Sequence, residues 1–249
     1  MTCDAAAETI GLHVVDLSKR IRGKTIVDSV SLSLYPGEIV GMLGRNGAGK
    51  TSCFYAIAGL LTPKSGSVHL DGQDVTRFPL YVRARLGLGY LPQEDSVFRG
   101  LTVEENIVSV LELCMHDPVA RKQAVEDLLA EFSIQHIRNT KASALSGGER
   151  RRVEIARCIA SEPKYIMFDE PFAGIDPIAA RDIRALVRYL KRRGVGVLIS
   201  DHNWRETLNL VDRVFVLSEG SVLVEGTPDD VVRDERFVSG YLGHDDDDE

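Results

Sequence analysis

Paired cysteines are missing from this chain. Cys3, Cys53, Cys114 and Cys158 lie far apart, with no C-x-x-C and no metal-ligand spacing, which excludes a disulfide framework and a cysteine metal site and suits reduced thiols. Long hydrophobic runs are also missing. Stretches such as residues 39–43 fall far short of the ~18 apolar residues that suggest a membrane span. Residues 1–12 carry Asp4 and Glu8 and no basic cluster, so no signal peptide is expected and any membrane role must run through a partner. A basic surplus is lacking too: 30 Lys and Arg face 37 Asp and Glu, for a net charge of −7. Five of the acids form the run 245–249, and the remainder is near neutral. That leaves no broad basic footprint for nucleic acid. Aromatic residues are sparse at 6%, but 44% hydrophobic and 27% charged residues are ordinary for a globular protein, which argues against disorder, collagen and coiled coil. At 249 residues one large domain with subdomains is expected, able to bury roughly 70–75% of its unfolded surface without staples.

Strand-like and helical runs alternate, which predicts an α/β architecture. Residues 12–34 alternate and close on the turn Tyr35-Pro36-Gly37-Glu38; residues 39–43 read as a strand buried in a sheet, followed by a glycine-rich loop and a helix over 51–60. Residues 68–70 read as an antiparallel strand ended by Asp71-Gly72. Thr102-Val103-Glu104-Glu105 has the form of a capping box, opening a helix that runs to Met115. Further helices are predicted over 119–132 and 146–160, and no strand is evident over 95–163, so this block reads as an inserted helical subdomain. Strands return at 165–168 and 195–200, with Asp176-Pro177 opening a helix whose inner face is Ile183, Leu186, Val187 and Leu190. A hairpin is expected from 214–217 and 222–225, and no internal repeat is present.

Gly44-Arg45-Asn46-Gly47-Ala48-Gly49-Lys50-Thr51 is G-x-x-x-x-G-K-T, a Walker A phosphate loop. Its glycines let successive N–H groups face one concavity at a helix N-terminus. Lys50 supplies a point charge for β- and γ-phosphates and Thr51 a hydroxyl for Mg²⁺. Tyr165-Ile166-Met167-Phe168-Asp169-Glu170 is an apolar strand ending in two carboxylates. Asp169 suits Mg²⁺ held through water, and Glu170 suits a general base for an attacking water. Leu145-Ser146-Gly147-Gly148-Glu149 is a capping box and also a glycine-lined, exposed helix start, the form of an anion site. The clusters Arg150-Arg151-Arg152 and Lys191-Arg192-Arg193 read as solvated helix faces.

Walker A, the Leu-Ser-Gly-Gly-Glu segment, the Asp-Glu strand, Gln93 in Tyr90-Leu91-Pro92-Gln93-Glu94, and His202 together resemble the nucleotide-binding subunits of ABC transporters, over about residues 12–243. The resemblance implies a P-loop NTPase fold: a RecA-like core with an antiparallel β subdomain over 1–94, a helical subdomain with the signature over 95–163, the rest of the core over 164–243, and an acidic tail over 244–249. It implies that ATP and Mg²⁺ are the cofactors, and that two copies sit head to tail so that Leu145, Ser146, Gly147, Gly148 and Glu149 of one close on ATP held by the other. Gly44, Arg45, Asn46, Gly47, Ala48, Gly49, Lys50, Thr51 and Ser52 would hold the nucleotide, and Thr51, Gln93 and Asp169 the metal. Lys50, Glu170 and His202 would be catalytic, with His202 on the γ-phosphate, Gln93 sensing the γ-phosphate beside the membrane partner, and Asp176 as a cross-dimer contact.

Longer strings are similar to one branch, the ATPase subunit of the lipopolysaccharide export transporter: residues 90–103, Glu149 to Arg157, Asp169 to Ile178, Ser200 to Thr207, and the ending from Gly226 through Gly243. That resemblance implies a homodimer driving two integral membrane subunits from the cytoplasmic face of the inner membrane, with no nucleic-acid partner. A branched-chain amino acid importer motor and a soluble ABC ATPase are the alternatives. The segment Ser96-Val97-Phe98-Arg99-Gly100-Leu101 is expected to expose Val97, Phe98 and Leu101 on a loop, with Phe98 anchoring the membrane partner. The run 245–249 extends beyond the family's usual end, and Ser52 stands where threonine is more usual. Most such ATPases stack adenine on an aromatic ring, where this chain has Ile21. An aromatic–base contact contributes on the order of 1–3 kcal/mol, so Ile21→Tyr is expected to tighten ATP binding by up to roughly tenfold. Titration of both forms with ATP checks this; an equal or weaker affinity means another side chain already covers the base.

Overall fold

The computed structural model of the chain describes residues 10–172 and 177–239. The alternating segment at 12–34 folds as two strands, β1 (Leu12–Ile21) and β2 (Lys24–Leu34), because Arg22 and Gly23 take positive φ and turn the chain back. With β4 (Ser65–Leu70) and β5 (Gln73–Asp74) they make a four-stranded antiparallel sheet, order β2-β1-β4-β5.

The second sheet is the core. Its strands are β3 (Ile39–Gly44), β6 (Leu88–Leu91), β7 (Tyr165–Asp169), β8 (Gly196–Asp201), β9 (Arg213–Ser218) and β10 (Ser221–Gly226), in the order β10-β9-β3-β8-β7-β6. All neighbours are parallel except the edge hairpin β9–β10. The central strands are apolar throughout because both faces are covered. The pleat sends alternate side chains to opposite cores. Ile39, Leu43, Ile166, Phe168, Val197, Ile199, Val214 and Val216 enter one core. Val40, Met42, Tyr165, Met167, Leu198, Phe215 and Leu217 enter the other, which they share with β1, β2, β4 and the helix α1 (Lys50–Ala58).

The opposite face is covered by a unit built from α3 (Val103–Cys114), α4 (Pro118–Glu131) and α5 (Gly147–Ile159), and by α6 (Pro177–Arg192). Between 95 and 163 no strand forms among the described residues, only an isolated bridge from Thr102 to Lys141. Thr102 and Glu105 close the capping box of α3. Val103, Ile107 and Leu111 form its buried stripe. Arg138 joins α3 to α4, donating to Glu104 and Glu126 at 2.9 Å each. None of the described helices is long and apolar enough to cross a membrane.

The cluster Arg150-Arg151-Arg152 is not the solvated face expected from sequence, whereas Arg192 and Arg193 of the second cluster are exposed. Arg151 is buried and pairs with Glu154 at 3.0 Å, Arg150 reaches Asp95 at 2.5 Å, and Arg152 pairs with Asp182. Lys191 and Arg193 pair with Asp212 and Glu131. Apart from Glu154, three residues along the same helix, the carboxylates that meet these cations come from distant parts of the sequence, which spacing along one helix cannot reveal. Asp176, Cys3 and the run 245–249 lie outside the described residues.

A short helix, α2 (Leu80–Arg85), carries Arg83, which is 1% exposed. Its guanidinium donates to four carbonyls: Ala56 and Ile57 at the end of α1, Phe78 at 2.9 Å and Thr76 at 2.9 Å. Burial draws its pKa down to about 10, against the raising influence of Asp74, which still leaves it charged at neutral pH and suited to the negative end of α1. Its partners are neutral carbonyls, and each buried carbonyl left without a donor costs about 1–3 kcal/mol, so loss of the guanidinium costs several kcal/mol. Arg83→Leu is therefore expected to lower the melting midpoint by roughly 6–15 °C at this chain length. Arg83→Lys should recover only part of the loss, because an ammonium lacks the planar fork. A thermal melt within about 2 °C of the parent for Arg83→Leu would show that water replaces the guanidinium.

Candidate functional site

The site lies where the parallel strands end at their carboxyl edge, the position at which open α/β sheets bind ligands. β3 ends in Gly44 and passes through residues 45–49 into α1. Gly49 has φ +101°, and a Cβ there would stand 2.5 Å from the Ile26 carbonyl oxygen, so only glycine fits. The loop is bolted to its surroundings through Gly220, whose N–H donates to Ala48 O at 3.0 Å and whose carbonyl accepts the Asp28 N–H at 2.8 Å. No side chain caps the start of α1, so its N–H groups and positive dipole end suit an anion.

Lys50 is 5% exposed, and its Nζ donates to Gly44 O at 2.5 Å and Arg45 O at 3.2 Å. Burial pulls its pKa down, while Glu170, Asp201 and Asp169 pull it up. Arg45, Asn46, Gly47 and Thr51 are exposed, Ala48 is buried and Ser52 is half-buried. Ile21 ends β1 and is 42% exposed, so it is free to present an aliphatic surface to a ligand.

The carboxylates arrive on the neighbouring strands. Asp169 ends β7 opposite Ser200 of β8. Ser200 Oγ donates to Asp169 Oδ1 at 2.6 Å and the Tyr90 hydroxyl donates to Oδ2 at 3.2 Å. Burial, then the charge of Asp169, pushes the Tyr90 phenol well up, so it stays a donor. Glu170 takes φ +45°, and its N–H donates to Ser200 O at 2.9 Å. Its Oε2 lies 3.7 Å from His202 Nδ1, which is 3.6 Å from Asp201 Oδ1. Asp201 is 1% exposed; its Oδ1 accepts the Asn203 N–H at 2.8 Å, and among the described residues its Oδ2 has no hydrogen-bond partner within bonding distance. Burial raises the pKa of Asp201. Tyr90, Ser200 and Asp201 were not singled out from sequence. The strand ending Ser200-Asp201-His202 was the available signal, because β8 lies between β3 and β7.

Among the described residues no cluster of three or more His, Cys, Asp or Glu side chains forms a metal cage by itself. The donors present are carboxylates and a threonine hydroxyl, with an orphaned oxygen on Asp201. This set fits a hard cation that keeps waters and shares a ligand's phosphates, as Mg²⁺ does.

Gln93 is exposed two residues beyond β6, whose Leu91 pairs with Phe168, so the chain leaves the sheet beside Asp169. The next residues are held by α5. Glu154 Oε1 accepts the Ser96 N–H at 2.5 Å, Arg151 donates to Pro92 O at 3.2 Å, and Arg157 donates to Ser96 O. Val97 is buried and Leu101 half-buried, contrary to the exposed loop expected; Val97 joins the apolar core with α3 and α5. Phe98 alone of the three is exposed, at 53%, with the Arg157 guanidinium 4.5 Å from its ring. Leu145 is buried, Ser146 and Gly147 are exposed and Gly148 is half-buried; Ser146 and Glu149 close a capping box at the start of α5. Among the described residues no hydrogen bond or ion pair joins residues 145–149 to the phosphate loop.

The ABC transporter family matches the chain over residues 27–173. An uncharacterized ABC transporter ATP-binding protein of Rhizobium meliloti (strain 1021) is 55% identical over 91% of this chain and 84% of its own length. The lipopolysaccharide export system ATP-binding protein LptB of Haemophilus influenzae is 48% identical over 93% of this chain and 97% of its own. The crystal structure of the ADP conformation of MJ1267, an ATP-binding cassette of an ABC transporter, superposes with a TM-score of 0.84 at 29% identity, covering 95% of this chain and 100% of that one.

Loss of a positioned general base costs roughly 100-fold or more in rate. Glu170→Gln is expected to keep ATP binding and lose phosphate release by at least that factor, whereas Lys50→Ala weakens nucleotide binding itself. Phosphate-release and binding assays on both variants separate the roles; near-normal turnover in Glu170→Gln would remove it from catalysis.

Proposed function

We propose that this chain, which belongs to the ABC transporter family as one of its ATP-hydrolysing subunits, drives extraction of lipopolysaccharide from the inner membrane for export to the outer membrane. The observation that carries the cargo is likeness over nearly the full length to proteins named for lipopolysaccharide export, at 46–49% identity over 93–94% of this chain. The geometry supports the motor. Residues 44–52 cradle the phosphates, with Lys50 exchanging its bonds to Gly44 O and Arg45 O for phosphate oxygens. Thr51, Gln93 and Asp169 serve Mg²⁺, Glu170 takes a proton from the attacking water, and His202 contacts the γ-phosphate.

The working unit in this proposal is a homodimer in which residues 145–149 of one copy face the nucleotide of the other, with Asp176 at the cross-dimer contact. It works at the cytoplasmic face of the inner membrane on two integral membrane subunits. Depleting the protein in its own cells should strand lipopolysaccharide in the inner membrane and leave amino-acid uptake unchanged. The converse pattern would favour an importer and overturn the cargo assignment.

Phe98 is the proposed anchor for a membrane subunit. Its ring is more than half exposed, yet its backbone is fixed by the buried Asn106, whose Oδ1 accepts the Phe98 N–H at 2.9 Å and whose Nδ2 donates to Phe98 O at 3.1 Å. An exposed aromatic on a rigid backbone loses little entropy when it docks. Phe98→Ala removes a cation–π contact of about 0.5–1 kcal/mol and should shift the melting midpoint by no more than about 4 °C. Loss of a docking anchor at ~2 kcal/mol or more should sharply reduce co-purification with the membrane subunits. A variant that assembles normally, or melts much earlier, returns Phe98 to a structural role.

A further inference from the structure

The Asp169 carboxylate is 4% exposed, yet among the described residues it takes part in no ion pair. Its two oxygens are instead held by two hydroxyls from different strands, Ser200 Oγ of β8 on Oδ1 and the Tyr90 phenol of β6 on Oδ2. The choice of donor matters. An arginine or lysine at either place would orient the carboxylate and also cancel its charge, whereas a hydroxyl orients it and leaves the charge in place. Each oxygen keeps a further lone pair, whose direction the hydroxyls now fix.

Both hydroxyls are themselves held. Ser200 is fully buried, its carbonyl accepts the Glu170 N–H at 2.9 Å, and β7 and β8 pair Asp169 with Ser200 in register. The Tyr90 ring stands edge-on to the Tyr55 ring of α1, 6.4 Å between centroids and 89° between planes. The phenol is therefore braced against the helix that begins at Lys50 and Thr51, so the same packing that seats α1 sets the Tyr90 hydroxyl.

We propose that Tyr90 and Ser200 are positioning residues for the divalent cation that accompanies ATP, acting by holding the Asp169 carboxylate in one orientation with no cationic side chain set against it. The inference rests on the assignment of Asp169 to Mg²⁺. Partners that orient a metal-serving carboxylate typically contribute tenfold or more to metal affinity. A purely structural role would appear in the melting temperature and leave metal affinity alone.

The test uses Mn²⁺ as the probe, titrated against the full-length protein loaded with a β,γ-imido ATP analogue and followed by electron paramagnetic resonance. Tyr90→Phe keeps the ring and loses the hydroxyl, Ser200→Ala loses the other hydroxyl, and Ser200→Thr keeps it. Nucleotide affinity measured in EDTA should match the parent in all three. The Mn²⁺ dissociation constant should rise roughly tenfold in Tyr90→Phe and in Ser200→Ala, and return to near the parent value in Ser200→Thr. Turnover of the first two should recover as Mg²⁺ is raised, a shift in the half-saturating metal concentration rather than in kcat. Unchanged Mn²⁺ affinity in both variants overturns the proposal, even where the melting point falls. If the loaded parent binds Mn²⁺ no tighter than the free nucleotide does, the assignment of Asp169 to the cation fails, and this proposal with it.

Discussion

The parallel register of β3, β8 and β7 is the constraint on which the site depends. It sets Leu43 opposite Asp201 and Asp169 opposite Ser200, so the phosphate loop, Asp201 with His202, and Asp169 with Glu170 all emerge at one edge. A slip of one residue in any of these pairs would send the strand's apolar side chains to the wrong core as well as displacing a carboxylate. Stability and chemistry are thus fixed by the same hydrogen-bond ladder. The two cores enforce it, because each central strand is buried on both faces and has no polar side on which to slide.

Arginine does much of the cross-linking outside the sheet. Arg83 gathers the end of α1 and the chain leading into α2, Arg213 joins β9 to Glu38 and Ser33, and Arg151 and Arg157 hold residues 92–96 against α5. A guanidinium suits these places because its five donors fit several carbonyls in one plane. Ser96 is bonded to α5 through both its N–H and its carbonyl. The segment after Gln93 and the helix that opens at the Ser-Gly-Gly-Glu motif therefore form one body. A displacement of residues 92–96 would have to break these bonds or carry α5 with it.

The core elements were legible because their signals are local. The five-residue apolar run 39–43, glycines before Lys50-Thr51, the capping boxes at Thr102 and Ser146, and the 3.6-residue stripe of α3 each depend on neighbours in sequence. Residues 12–34 were legible as extended but not as two strands, since the turn at Arg22-Gly23 carries one glycine and no strong turn pair. The arginine triplet at 150–152 was misassigned for a different reason. Whether a helical cation meets water or a carboxylate depends on Asp95, Glu154 and Asp182, and two of these come from other elements. Tyr90 and Ser200 stand within strings that carry the family resemblance, but their contact with Asp169 becomes visible only when the register places both beside it.

The pair Asp169-Glu170 poses a geometric problem that the backbone solves. In an extended strand, successive side chains point to opposite faces, so two adjacent carboxylates would be sent apart, one of them into an apolar core. Glu170 escapes by entering the left-handed region at φ +45°, where a non-glycine residue is strained by about 1 kcal/mol or more. The bond from its N–H to Ser200 O holds that conformation. The turn ends β7 and swings the Glu170 carboxylate to within 3.7 Å of His202, on the same edge as Asp169 and Lys50. Ser200 thus acts on both carboxylates, one through its hydroxyl and the other through its carbonyl, and the strain at Glu170 is what brings two neighbouring carboxylates to one edge, as the proposed metal and water roles require.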